Sequence, residues 1–128
     1  MDISNIKVLV VDDEISVCSN IAAFLEDEGF TVFSVVSGEE ALDLLLKQEI
    51  DVAIIDMRLP GIDGDALILK AHEVQPVLKF IIHTGSINYF ISKTLEEIGV
   101  KNEQIFRKPL MDMSVLTQGI LNLLEGKT

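Results

Sequence analysis

An α/β fold built around a parallel sheet is predicted for this 128-residue chain, and three observations predict it. Lys7-Val8-Leu9-Val10-Val11, Val52-Ala53-Ile54-Ile55 and Lys79-Phe80-Ile81-Ile82-His83-Thr84 are short, mostly apolar runs, as strands buried on both faces require. Stretches with apolar residues at helical spacing separate them. Glycines and prolines punctuate the junctions. Strands alternating with helices require right-handed crossovers and a sheet covered on both faces. The order of strands in the sheet is not readable from this pattern.

The first strand is Lys7–Val11. After Asp12-Asp13-Glu14, residues Val17, Ile21, Phe24, Leu25 and Glu28 follow helical spacing, and Gly29 stops that helix. Thr31-Val32-Phe33-Ser34-Val35 is a second, β-branched strand. Ser37-Gly38-Glu39-Glu40 has the form of a capping box, and Ala41, Leu45 and Gln48 then share a helical face. Val52–Asp56 is the third strand. A helix runs from Gly64-Asp65 to about His72, and Pro76 bars its continuation. Lys79–Thr84 is the fourth strand; Ile91, Leu95 and Ile98 mark a helix that stops at Gly99. Gln104–Lys108 is a fifth, shorter strand. After Pro109, Asp112 or Ser114 caps a last helix carrying Leu116, Ile120, Leu123 and Leu124. Five strands and five helices form a single domain over 1–128. No repeat, low-complexity segment or linker is visible, and the chain ends at Gly126-Lys127-Thr128, soon after that helix.

Composition narrows the function. Hydrophobic residues at 48% and charged ones at 24% describe a globular domain with a real core. The formal charge of −11 without a basic stripe argues against a nucleic-acid partner, and most of the excess serves solubility. No apolar run approaches the ~18 residues of a membrane span, and the N-terminus lacks the basic start of a signal peptide. The single cysteine, Cys18, makes no internal disulfide, and a cytoplasmic setting is expected.

The chemistry gathers at strand ends. Asp56 closes a buried strand, and Pro60-Gly61 suits the centre of a type II turn. Open α/β sheets place ligand chemistry at this point, although an Asp alone could merely cap the strand. Asp12-Asp13-Glu14 closes another strand and can bring three carboxylates together. At about 5 Å and an effective dielectric near 20, each pair repels by roughly 3 kcal/mol. A cation relieves that repulsion, and hard oxygen ligands with few protein donors suit Mg²⁺.

Asp12-Asp13, Asp56 followed by Leu59-Pro60-Gly61, Thr84 and Lys108-Pro109 stand in sequence at four strand ends. Together they resemble the receiver domain of two-component response regulators, over essentially the whole chain. The resemblance implies a flavodoxin-like (βα)5 doubly wound sheet of order 2-1-3-4-5. It implies that Asp56 is the phosphoacceptor, taking its phosphoryl group from a sensor histidine kinase or phosphotransfer protein. It makes Asp13 a direct Mg²⁺ ligand, with Mn²⁺ as a substitute, Asp12 a direct or water-mediated one, and the Arg58 backbone carbonyl a further one alongside Asp56. Thr84 and Lys108 become the hydroxyl and the cation that hold the phosphoryl group, with a cis peptide before Pro109. A carboxylate is a competent covalent nucleophile for phosphoryl transfer, and the charge on the equatorial oxygens calls for a metal and a lysine. The downstream partner is an unknown protein met on the face of the fourth helix, fifth strand and fifth helix, and a phosphorylation-dependent homodimer belongs to the same pattern.

Three features depart from the family. The aromatic usually found three residues before the lysine is Ile105, with Phe106 on the opposite face, so a muted or different readout is expected. Gly99-Val100 is followed by Lys101-Asn102-Glu103-Gln104, a longer approach to the fifth strand that should enlarge the loop. Arg58 and Ser86, two residues beyond Asp56 and Thr84, flank the approach to the phosphoryl group and bear on its lifetime. Other readings are a phosphate-independent docking module, and a phosphorelay intermediate or phosphate sink. An aspartate-nucleophile phosphatase would carry an acid where Arg58 stands. His72 and His83 lack the spacing of a metal site, and no nucleotide-loop or serine-elbow motif occurs. No output domain is expected within the chain, which suits either a stand-alone receiver or part of a larger regulator or hybrid kinase.

Overall fold

The structure is a computed structural model and describes residues 2–125; Gly126-Lys127-Thr128 lies outside the described residues. The strands are β1 (Lys7–Val11), β2 (Thr31–Val35), β3 (Val52–Ile55), β4 (Lys79–Thr84) and β5 (Ile105–Arg107). The helices are α1 (Ile15–Asp27), α2 (Gly38–Leu45), α3 (Gly64–Val74), α4 (Lys93–Glu97) and α5 (Ser114–Leu124). All strand pairs are parallel, and the sheet order is β2-β1-β3-β4-β5.

Strand alternation divides the core in two. Leu9, Val11, Ala53, Ile55, Phe80 and Ile82 face Ala41 and Leu45 of α2, Leu67 and Ile68 of α3, and Leu95 of α4. Val8, Val10, Val52, Ile54 and Ile81 face Cys18, Ile21 and Leu25 of α1 and Leu116 and Ile120 of α5. With both faces covered, the sheet exposes chemistry only at its ends. β1 and β3 lie side by side in register, Val11 opposite Ile55, so the residues that follow them meet at one carboxyl end.

Several boundaries differ from the sequence expectations. Asp56 and Lys108 lie just beyond their strands rather than inside them, and Gln104 falls before β5. α3 continues to Val74, past His72. α4 keeps only the middle of its expected helix. The Ser92 hydroxyl accepts the Leu95 N–H at 3.2 Å and starts the helix late, leaving Ile91 and Ile98 outside it. Asp112, not Ser114, supplies the acceptor at the start of α5, taking the Ser114 N–H at 2.9 Å. Ser37 caps α2 as expected, accepting the Glu40 N–H at 3.1 Å. The residues before β5 do not form an enlarged open loop. Asn102–Gln104 winds into a 3-10 turn, and the buried Gln104 amide donates to the Phe80 carbonyl at 2.7 Å.

Candidate phosphoacceptor site

Asp12 follows β1, and Asp56 follows β3. Their backbone N–H groups still bond across the sheet, Asp12 to the Val35 carbonyl at 3.3 Å and Asp56 to the Val11 carbonyl at 2.9 Å. Ladder bonds therefore position both residues as side chains leave the sheet. Each carboxylate then folds the next loop over itself. Asp12 Oδ1 accepts the Glu14 N–H at 3.0 Å, and Asp56 Oδ1 accepts the Arg58 N–H at 3.0 Å. Both acids are buried, at 1% and 3% exposure. Asp13 is exposed, yet its carboxylate belongs to the same group: one oxygen from each of Asp12, Asp13 and Asp56 lies within 4.8 Å of the others.

Lys108 enters from the end of β5, where its N–H bonds the Thr84 carbonyl at 2.7 Å and the Lys108–Pro109 peptide is cis. Its Nζ stands 3.0 Å from Asp12 Oδ2, 3.5 Å from Asp56 Oδ2 and 3.4 Å from Glu14 Oε1. Burial alone would lower the lysine pKa. The hydrogen bond and charge of Asp12, then the charges of Asp56 and Glu14, outweigh it and raise the pKa, keeping the ammonium protonated. Asp12 is pushed above the ordinary carboxylate range, first by burial and then by Asp56 against the pull of Glu14 N–H and Lys108. Lys108 and the exposed Arg58 against four acids leave the pocket electronegative. Asp12 Oδ2 is buried, and the Lys108 ammonium at 3.0 Å is its partner. Three carboxylates this close, with oxygen the only donor type among them, suit a hard divalent cation.

Thr84 closes β4 fully buried, and its Oγ1 accepts the Ser86 N–H at 3.1 Å. Asp13, Glu14, Asp56, Arg58, Gly85 and Lys108 line a cleft of about 240 Å³, enough for a phosphoryl group and its ligands. Arg58, exposed, also lines the neighbouring cavity with Ser86. Ile105 packs into the α2–α4 side of the core and Phe106 into the α1–α5 side. The structure thus brings Asp12, Asp13, Asp56 and Lys108 together, with Thr84, Ser86 and Arg58 at their rim. Ile105 stands apart in the core. Sequence reasoning missed Tyr89, Asp65 and Arg107, which bond around Ser86. No motif marks them; the one available signal was that Arg107 precedes the site lysine.

A family model for the response regulator receiver domain matches residues 8–120. The chain belongs to that family. The receiver is 28% identical over 105 residues to Sporulation initiation phosphotransferase F of Bacillus subtilis, covering 82% of this chain and 83% of that protein. It is 39% identical over 67 residues to Regulatory protein VanR of Enterococcus faecium, covering 52% of this chain and 29% of VanR. The chain thus spans less than a third of that longer regulator. A receiver domain from Clostridium thermocellum superposes with a TM-score of 0.81 at 29% identity, over 95% of this chain and 96% of that one. The fold and family expected from the sequence are those observed, and the chain is a signalling domain of two-component systems. None of its described helices is long and apolar enough to cross a membrane.

His83 lies behind this receiver's site, buried at 5% exposure with neither ring nitrogen hydrogen-bonded. Burial, then the Lys108 charge, lowers its pKa from 6.5 to about 4, against Asp56 and Glu14. The unfolded chain therefore takes up the proton first. His83 stabilises fully above about pH 6.5, and that contribution drains away as pH falls toward 4. In urea unfolding across this window, the wild-type midpoint should fall more steeply than that of His83→Leu. Parallel slopes would remove His83 as a source of acid sensitivity.

Proposed function

We propose that the receiver accepts a phosphoryl group on Asp56 from a phosphohistidine, in a Mg²⁺-dependent reaction, and thereby switches partner binding on the face of α4, β5 and α5. The observation that carries this reading is the buried Asp56 carboxylate held between the Asp12–Asp13 pair and the Lys108 ammonium. An Asp56 oxygen attacks phosphorus as the N–P bond breaks, and the imidazole leaves with the electron pair and gains a proton. The product is an acyl phosphate. Asp12, Asp13, Asp56 and the Arg58 carbonyl would hold Mg²⁺, or Mn²⁺ in its place, which when bound neutralises charge on the transferred group. Lys108 pairs with a phosphoryl oxygen, and the Thr84 hydroxyl turns to donate to another. Arg58 and Ser86 flank the path of hydrolytic water. The domain acts over residues 1–128 with a histidine kinase or phosphotransfer protein upstream and a protein target, or a second copy, downstream.

A phosphorelay intermediate is the second reading. Ile105 in place of an aromatic and the near full-length likeness to a sporulation phosphotransferase favour it. Incubation with acetyl phosphate and Mg²⁺ followed by intact mass tests the common step. One added phosphoryl group is expected, absent in Asp56→Asn and absent when EDTA replaces Mg²⁺. An unmodified wild-type mass would leave the phosphate-independent docking module.

A further inference from the structure

Phosphorylation as proposed above requires Thr84 and the segment after it to move, and Ile105 offers no aromatic ring to report that motion. The segment is tied instead by polar contacts outside the acid pocket. The Ser86 N–H donates to Thr84 Oγ1 at 3.1 Å, and the Ser86 carbonyl accepts from Arg107 Nη1 at 2.6 Å. Arg107 Nη2 donates to the Tyr89 carbonyl at 3.0 Å. The Tyr89 hydroxyl donates to Asp65 Oδ1, in the first turn of α3, at 2.9 Å. These bonds run without a break from the site hydroxyl to a neighbouring helix.

The links differ in stiffness. A planar guanidinium holding two carbonyls of one loop fixes their relative position, as a lysine ammonium cannot. The far end is equally firm, because α3 is anchored by the fully buried Leu67 and Ile68. Tyr89 packs half-buried against the same core as Ile105, while Ile87 and Phe90 beside it are 81% and 75% exposed. Tyr89 is thus the side chain that pins the loop. When Thr84 Oγ1 turns toward Asp56, Ser86 is displaced and Arg107 passes the displacement to the Tyr89 backbone. The bond from Tyr89 to the fixed Asp65 is the one that yields. A cavity of about 320 Å³ lined by Thr84, Ser86, Tyr89 and Asp65 leaves the ring room to move.

We propose that Arg107 is a positioning residue for Thr84, and that Tyr89, released from Asp65 when Thr84 engages the phosphoryl group, signals the modified state. This rests on Asp56 being the phosphoacceptor. The sequence has one tyrosine and no tryptophan, so tyrosine emission reports Tyr89 alone. A phenol bonded to a carboxylate emits weakly, and release brightens it.

The test adds beryllofluoride and Mg²⁺ to the full chain, reading bound fluorine by ¹⁹F NMR and tyrosine emission in parallel. Emission should rise as bound fluorine signals appear, with neither change in Asp56→Asn. Asp65→Asn should be bright before addition and gain little. Arg107→Ala should show bound fluorine at saturating beryllofluoride but lose the emission rise, and Arg107→Lys should regain only part of it. A general loss of stability would not produce that split. Bound fluorine with unchanged wild-type emission overturns this inference alone. No bound fluorine in the wild type overturns it together with the role of Asp56.

Discussion

Lys108→Ala should lower the unfolding free energy by about 3 kcal/mol at neutral pH without divalent cation, the range for removing one partner of a buried ion pair. Lys108 is the only cation within ion-pair distance of Asp12, Asp56 or Glu14 among the described residues. Asp12 and Asp56 side chains are 2% and 4% exposed, so solvent screens their charges only weakly. The pH dependence follows from Asp12, whose carboxyl burial already raises. Loss of Lys108 raises it further. A carboxyl with a raised folded-state pKa destabilises above that pKa and ceases to as pH falls, because the folded chain takes up the proton first. The deficit of the variant should therefore shrink as pH falls through the raised Asp12 value, and shrink also on adding Mg²⁺ at neutral pH. Urea unfolding over pH, with and without Mg²⁺, measures both. A deficit insensitive to both would mean that Lys108 contributes packing and not charge balance.

Gly64→Ala should cost about 1–3 kcal/mol, the range for overpacking a tight site, and slow phosphorylation. A Cβ there would sit 2.5 Å from Met57 Sδ and 2.7 Å from Met57 Cα. The sulfur can move, but the Cα belongs to the residue directly after Asp56. Alanine in place of glycine gains up to about 1 kcal/mol within a helix, less than the clash costs, and Gly64 stands only at the first position of α3. Relief comes by pushing back the β3–α3 connection, which carries the Arg58 N–H that holds Asp56 Oδ1. Thermal unfolding and the rate of phosphoryl uptake from acetyl phosphate check the two halves. A variant with wild-type rate would show that this connection yields without moving Asp56.

Most of the fold was legible because the interior strands carry no ambiguity. Val52–Ile55 and Lys79–Thr84 are short, apolar runs that suit strands in a two-sided sheet; the second lies where expected and the first ends one residue earlier, before Asp56. Gly29, Gly61 and Gly99, the stops and the turn read from sequence, are the glycines with positive φ among the described residues. α4 was less legible because a serine hydroxyl, which a hydrophobic pattern does not weigh, sets its start. The acid cluster could be read because it follows from where strands end. The Tyr89–Asp65 and Arg107–Ser86 bonds could not, since they depend on the path of a loop between β4 and α4. Gln104 was misread as part of a strand for a related reason. Its amide satisfies a carbonyl on β4, a role that any polar residue could have been given by sequence alone.

β5 is three residues long and forms one edge of the sheet, pairing among the described residues with β4 alone. So brief an edge offers a visiting chain too few free backbone groups to lengthen the sheet by strand addition. A protein docking at this edge would have to recognise side chains. Backbone pairing tolerates almost any sequence, whereas side-chain matching does not. The shortness of β5 is thus a source of selectivity: it removes the least discriminating way for another chain to bind at this edge.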